Sequence, residues 1–185
     1  MTKLFARLMS LAVLSFLAAC TSSPFYEHRF QPAPYEVQVT ADAVPGSQVR
    51  ALVTVLGIAR AKDGVPDRAV VRVRLENLGS MAAKLETDSF QLVTADLQAF
   101  GAPAVLAGPE SPEIAPGGSA VFDVGLPLPE GRRPSDVDLS GLSLRFTMAF
   151  GEHRVTPSAS FQRTDWRYYD EYPRWQFGVG VGVHT

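Results

Sequence analysis

The chain has one cysteine among its 185 residues, and that cysteine, Cys20, lies near the start. A single cysteine excludes an intrachain disulfide and any site built from several thiolates. Histidine is also scarce: there are three, and no two have the spacing of metal ligands. A net charge of −2 provides no basic footprint for nucleic acid. Stability must therefore come from an apolar core alone.

The apolar run near the N-terminus is too short to cross a membrane. The run from Leu8 to Ala19 is uncharged and follows Lys3 and Arg7, with no acidic residue before it. A spanning helix needs about 20 apolar residues. A basic start, a short apolar centre and small residues after it are typical of an export signal. The sequence therefore predicts a cleaved signal helix over residues 1–19.

The end of this run, Leu17-Ala18-Ala19-Cys20, resembles the lipobox of bacterial lipoprotein signals. The resemblance implies cleavage between Ala19 and Cys20 and a diacylglycerol on the Cys20 thiol, with further acylation of the new amino group in many species. Two or three acyl chains make such an anchor lasting. The alternatives are an ordinary secretory signal with a chance cysteine, or a buried core helix.

The residue after the lipobox bears on localisation. In the enterobacterial version of this system an Asp at that position retains the protein at the inner membrane, and here the residue is Thr21. The resemblance therefore implies an outer-membrane anchor facing the periplasm. In an organism with a single membrane, the anchor would lie in the outer leaflet of the plasma membrane.

Residues 20–34 are expected to form a lipidated tether. Pro24, Pro32 and Pro34 break regular structure and push the preceding residues toward extended conformations. About fourteen extended residues reach at most roughly 45–50 Å. Aromatic side chains are unusual in a plain spacer, and those of this segment are expected either on the domain or at the lipid headgroups. They are Phe25, Tyr26 and Phe30.

Residues 35–163 show apolar and polar residues in alternation, separated by turns rich in Gly and Pro. Period two is typical of half-buried strands, and no window has an apolar stripe at helical spacing. Seven or eight such strands in one domain predict an all-β antiparallel β-sandwich, with a small barrel as the alternative. The run over 52–58 is apolar on both faces, which favours a central strand. Pro157 indicates that the last run is an edge strand.

Three stretches of this region resemble the immunoglobulin-like domains of bacterial envelope lipoproteins. They are Val70 to Asn77, Phe90 to Val93, and Ala115 to Phe122. The resemblance implies an immunoglobulin-like sandwich and brings no catalytic residues with it. In the predicted register, six side chains are buried between the two sheets. They are Val71, Val73, Phe122, Val124, Phe146 and Met148.

The chain lacks the residue sets that catalysis needs. No Gly-x-Ser-x-Gly elbow is present, and Ser119 follows a turn, which favours the start of a strand. Asp136 and Asp138 share a face but lie beside basic residues, as in a solvated loop. Phosphate-binding loops and calcium-binding spacings are also missing. We expect no enzymatic activity, no metal and no cofactor.

The C-terminal tail, residues 164–185, departs from this background. It holds both tryptophans of the chain and then alternates Gly and Val. Three interpretations stay open: a binding surface for sugars or a protein, a last strand packed on its own domain, or a disordered tail. In the first, an envelope protein partner binds a patch of six aromatic side chains. They are Trp166, Tyr168, Tyr169, Tyr172, Trp175 and Phe177.

Together these patterns predict a lipid-anchored protein of the cell envelope that acts as a non-catalytic binding, scaffolding or assembly module. Its partners would be the membrane, through Cys20, and an envelope protein, through the tail. The alternative is a periplasmic binder of a small ligand or carbohydrate, or an enzyme whose site is assembled only by the fold.

Overall fold

The alternating runs form the strands of two antiparallel sheets that pack face to face. The computed structural model describes residues 23–110 and 112–164. Within them the strands are β1 (Arg29–Gln31), β2 (Tyr35–Val39), β3 (Val49–Ala59), β4 (Arg68–Asn77), β5 (Ala83–Thr94), β6 (Ala104–Ala107), β7 (Glu113–Ile114), β8 (Ser119–Pro127), β9 (Gly141–Phe150), β10 (His153–Val155) and β11 (Ser158–Thr164). The all-β sandwich is confirmed, and the barrel alternative is wrong.

The strand order is that of an immunoglobulin-like sandwich. One sheet has the order β2-β3-β4-β8-β6, and the other has β1-β11-β9-β5-β7, with β10 also on β9. Strands β3, β4, β8 and β6 take the places of A, B, E and D, while β5, β9 and β11 take those of C, F and G. Seven strands therefore match the expected number, and the short strands β1, β2, β7 and β10 are additional.

The core lies between the two inner faces, where alternate side chains meet. All six side chains expected there are buried, each at most 1% exposed. At the centre, Phe90 on β5 stacks on Phe146 of β9 with ring centroids 5.5 Å apart. It also meets Phe122 of β8 edge to face at 6.2 Å, so this cluster joins the two sheets. The predicted register is confirmed.

A bulge in β5 places Phe90 in this cluster. The pairing of β5 with β9 shifts by three residues between Glu86 and Gln91. The Ser89 hydroxyl donates to the Glu86 carbonyl and accepts the Thr147 N–H of β9 at 2.7 Å. Bulges re-aim side chains while keeping the flanking ladder intact. Here the extra residues leave both halves of β5 paired with β9.

Asn77, at the end of β4, is a buried polar link between separate parts of the chain. Its side-chain amide donates to the carbonyls of Met81 and Ile114 at 2.7 and 2.8 Å, and its Oδ1 accepts the Gly79 N–H. Ile114 belongs to the other sheet. An Asn with these partners is satisfied although only 1% of it is exposed. It therefore fixes the crossing from β4 to β5.

The packed part of the chain begins before Tyr35, which differs from the expected tether. Residues 29–31 form β1, which pairs with residues 162–164 of β11. Phe30 points into the core and is 2% exposed. Burial of this apolar side chain favours the pairing, and Pro32, which has no N–H to donate, lies just outside the paired residues. Of the two placements expected for these aromatic side chains, Phe30 takes the one on the domain.

Pro157 interrupts a strand that otherwise keeps a single register. Strands β10 and β11 both pair with β9, and Val155↔Met148 and Ser158↔Arg145 belong to the same ladder. Proline has no N–H to donate, so the ladder pauses at this position. The far side of β11 is covered by β1 only at residues 162–164, so the edge expected here is limited to the first part of the strand.

We predict that Phe146→Ala destabilises the domain by about 3–5 kcal/mol, because it empties a fully buried site and removes the stack on Phe90. Denaturant unfolding of the unlipidated chain measures this loss. The matched control is Val121→Ala, on a side chain that is 51% exposed, which should change stability by less than about 0.5 kcal/mol. Equal losses for the two variants would contradict the placement of Phe146 in the core.

Candidate functional site

The residues predicted to carry function flank the described part of the chain. Ala19 and Cys20 precede it, and all six aromatic residues of the expected partner patch follow it: Trp166, Tyr168, Tyr169, Tyr172, Trp175 and Phe177. These predictions therefore lie outside the described residues. The structure does show where the chain enters and leaves the sandwich, and this defines the candidate site.

The entering segment is hydrogen bonded to the end of β3. The Tyr26 N–H donates to the Ile58 carbonyl at 2.8 Å, and the Arg60 N–H donates to the Pro24 carbonyl at 2.9 Å. Phe25 forms a bridge with Ala59 between these two bonds. Backbone bonds on both sides of Phe25 fix this segment as a short antiparallel extension of the sheet.

A bulge in β3 makes room for this segment. The pairing of β3 with β4 shifts at Leu56, and the next residue, Gly57, has a φ of +139°. A Cβ atom at Gly57 would lie 3.3 Å from Cδ1 of Phe25, a close contact. Glycine is therefore suited to this position both by its backbone conformation and by the approach of the Phe25 ring.

Tyr26 is the centre of a small polar cluster. Its ring stacks on His28 with centroids 6.3 Å apart, and the Arg60 guanidinium lies 4.4 Å from the ring centroid. Its hydroxyl donates to Asp67 at 3.2 Å, and Asp67 also accepts the Ala61 N–H at 2.7 Å. Stacking, a cation–π contact and a hydrogen bond thus hold the entering chain against the β3–β4 connection.

A surface cavity of about 550 Å³ opens beside this cluster. Residues of the entering segment form nearly all of its lining: Ser23, Phe25, Tyr26, Glu27, His28 and Arg29, with Leu56 from β3. Its walls combine aromatic faces with charged groups of both signs. The cavity is therefore a feature of the chain entrance and is separate from the inner core.

The first and last described residues lie at the same end of the sandwich. Arg29 in β1 lies opposite Thr164 in β11, the last described residue. Arg68 pairs with Pro127, and the Arg163 N–H donates to the Ser140 carbonyl, so the connections between these strands lie at that end too. We call this the termini end. It comprises the chain ends 24–31 and 162–164 and the connections 60–67, 95–103 and 128–140.

Two of the connections at the termini end expose apolar side chains. Leu97 is 82% exposed, and Val65 is 43% exposed. Leu97 has a φ of +64°, which is unusual for a bulky residue. Its turn is closed by the Leu97 N–H to the Thr94 carbonyl at 3.0 Å and by the Gln98 N–H to Thr94 Oγ1 at 2.9 Å. The turn therefore holds Leu97 outward in a fixed position.

The carboxylates of the 128–140 connection serve local structure. The Arg133 N–H donates to Asp136, and this hydrogen bond is the main cause that lowers the pKa of Asp136. Hydrogen bonds from the side chain and the N–H of Ser140 lower the pKa of Asp138. Both groups are thus ionised at neutral pH and are held in turns. This agrees with the interpretation of a solvated loop rather than an acid–base pair.

Ion pairs cover the outer face of the β3-β4-β8 sheet. Arg50 and Arg74 both pair with Glu76, and Arg72 pairs with Asp123 at 2.8 Å. The hydrogen bond from Arg50 is the main cause that lowers the pKa of Glu76. Exposed pairs of this kind are worth little in stability individually. They place charges of both signs on this face, beside the exposed side chain of Val121.

The described residues contain no cluster of three or more side chains that could hold a metal ion. Ser119 begins β8, which confirms the expected strand start. In residues 23–110 and 112–164 no helix is long and apolar enough to span a membrane.

Comparisons with known proteins give weak structural likenesses only. No protein-family model and no curated protein sequence matches the chain. Northeast Structural Genomics Consortium target SoR45 is 19% identical, with a TM-score of 0.41 over 65% of this chain and 87% of the other. The yjhA protein of Bacillus subtilis is 15% identical, with a TM-score of 0.35 over 60% and 76%.

A FixG-related protein of Vibrio parahaemolyticus is 10% identical, with a TM-score of 0.35 over 60% of this chain and 94% of the other. Identities and scores at this level transfer no function to the present chain.

We predict that Tyr26→Ala releases the entering segment, because it removes the His28 stack, the Arg60 contact and the bond to Asp67. Hydrogen exchange of the Tyr26 and Arg60 amides should accelerate, since both amides bond across this junction. Tyr26→Phe keeps the ring and loses only the hydroxyl bond, so it should retain most of the protection. Exchange rates in Tyr26→Ala equal to those of the parent would contradict the clamp.

Proposed function

We propose that this protein is a lipid-anchored, non-catalytic module of the bacterial cell envelope that binds or assembles other envelope components. Its anchor is a diacylglycerol on Cys20 in the outer membrane, and its domain faces the periplasm. In an organism with one membrane, the same anchor lies in the plasma membrane. The observation that carries the proposal is the sequence Leu17-Ala18-Ala19-Cys20 at the end of a short uncharged run.

The immunoglobulin-like sandwich supports a binding role. Such sandwiches commonly present surfaces and loops at the ends of their strands. In the described residues ion pairs lie on the outer face of the β3-β4-β8 sheet, and the carboxylates Asp136 and Asp138 accept hydrogen bonds within their own turns. The geometry therefore favours recognition at an end of the domain.

The lipid anchor is tested by metabolic labelling with a fatty-acid probe in the expressing cell. The parent should incorporate the probe and sediment with membranes, and Cys20→Ser should lose both properties because no other thiol exists in the chain. Thr21→Ser, which keeps the lipobox cysteine, is the matched control. Probe incorporation by Cys20→Ser would overturn the anchor.

Residue 21 provides a separate test of localisation in a host with two membranes. Thr21→Asp should move the lipidated protein from the outer to the inner membrane fraction, and Thr21→Asn should not. An unchanged distribution of Thr21→Asp would remove the assignment to the outer membrane while leaving lipidation in place.

The partner-binding part of the proposal rests on the composition of the tail. Aromatic residues of this kind are enriched where proteins recognise each other, because they bury large areas at low entropic cost. The six candidate residues are Trp166, Tyr168, Tyr169, Tyr172, Trp175 and Phe177. A partner that adds this segment to its own sheet would gain backbone hydrogen bonds as well.

Replacing all six aromatic residues by alanine should abolish specific cross-links between the protein and its envelope neighbours in cells. The proposal expects an unchanged thermal midpoint of the domain, since the core of the described sandwich is formed by other residues. Deleting only 178–185 is the control for shortening the tail. A large fall in thermal stability in the six-residue variant would show instead that the tail packs on its own domain.

A further inference from the structure

We infer that the termini end of the sandwich rests on the bilayer surface and that Leu97 and Val65 contact the lipid. This inference rests on the proposed lipidation of Cys20 and adds the orientation of the domain and a second contact with the membrane. The partner is the headgroup and upper acyl region of the anchoring leaflet.

The first step is the length of chain between the anchor and the domain. The earliest backbone bond of the entering segment involves Pro24, whose carbonyl accepts the Arg60 N–H. Only residues 21–23 lie between Cys20 and Pro24. Four fully extended steps reach at most about 14 Å, far less than the roughly 45–50 Å of a free tether from 20 to 34. The clamp around Tyr26 therefore ties the domain closely to the lipid.

The second step is which end of the domain the clamp selects. Pro24 and Phe25 lie against Arg60 and Ala59, at the end of β3. The connections 60–67, 95–103 and 128–140 share this end. Strand β4 runs away from it for ten residues, or about 30 Å. An anchor reaching about 14 Å thus keeps the termini end near the membrane and the opposite end, with Leu78, far from it.

The third step is what the termini end displays. Leu97 is the most exposed of the large apolar side chains identified on the described surface, and Val65 lies in a second connection at the same end. The charges around them are of both signs: Lys62 and Asp63 precede Val65, and Asp96 precedes Leu97. Lipid contact therefore depends on the apolar side chains exposed at the loop tips, which suit the boundary between headgroups and acyl chains.

The turn around Leu97 gives this contact a fixed geometry. An outward Leu with positive φ is costly in water, both for its backbone and for its exposed surface. The Thr94 bonds that close the turn maintain it nevertheless. Contact with lipid removes the cost of the exposed surface without any rearrangement of the backbone.

The test uses the full lipidated protein in vesicles of phosphatidylethanolamine and phosphatidylglycerol. Acylation consumes Cys20, so a single added cysteine is the only thiol available for a fluorescent label. Leu97→Cys probes the termini end. Leu78→Cys, on a side chain 52% exposed at the opposite end, is the matched control. Unchanged thermal midpoints establish that both labelled proteins are folded.

The label at Leu97 should lose its quenching by aqueous iodide and gain quenching by lipids with a nitroxide on the upper acyl chain. The label at Leu78 should show the reverse. Iodide quenching of both labels to the same extent, without nitroxide quenching, would overturn the orientation. Shielding of Leu97 from iodide without nitroxide quenching would also overturn it, because a protein partner or a second copy would then cover this end.

Mass measurement of the N-terminal peptide on the same sample separates the two proposals. Acylated Cys20 with Leu97 in water overturns the orientation alone and leaves the proposed function standing. A free Cys20 thiol overturns the anchor and, with it, the orientation that depends on it.

Discussion

The sandwich depends on the dry contact between its two sheets, because a chain with one cysteine has no disulfide to hold them together. At its centre, Phe90 and Phe146 of one sheet pack together, and Phe90 also contacts Phe122 of the other sheet. The bulge in β5 serves this cluster, because its extra residues let Phe90 point inward. The Ser89 hydroxyl accepts the Thr147 N–H and so keeps the bulge bonded to β9. Buried Asn77 then fixes how the chain crosses between the layers.

Much of this fold could be predicted from alternation alone. The buried faces of β4, β8 and β9 followed from period two, because one-sided burial fixes which residues point inward. Strand β1 could not be predicted, since its three residues lie between prolines and carry no alternating pattern. Its partner, β11, is more than 130 residues away, and the burial of Phe30 that favours the pairing is therefore a long-range effect. The three-residue shift in β5 also has no local sequence signal, because it is defined by pairing with the distant strand β9.

For the candidate site, the sequence indicated the types of residue involved but not their contacts. The resemblance of Leu17-Ala18-Ala19-Cys20 to a lipobox is visible in the sequence, and the surplus of aromatic residues before Tyr35 indicated something more than a spacer. The partners of those aromatic side chains could not be predicted, because they are distant in the sequence. Tyr26, for example, bonds to Asp67, which is 41 residues away. The exposed Leu97 was also missed, because the pattern of its segment does not distinguish an outward turn from a strand end. Folding thus converts an expected free tether into a clamp.

The interruption at Pro157 has a consequence for molecules that share one membrane. Copies anchored through Cys20, as proposed, would diffuse in two dimensions at high local concentration, so any long unpaired strand edge would invite sheet-to-sheet association. In the described sandwich β2 spans five residues, β6 four, β1 three and β7 two, and the first part of the β10–β11 edge is divided by the proline. The outermost strands of the described sandwich are therefore short, which limits the row of backbone groups that each presents to a neighbour. Short edges of this kind disfavour sheet-to-sheet association between crowded copies.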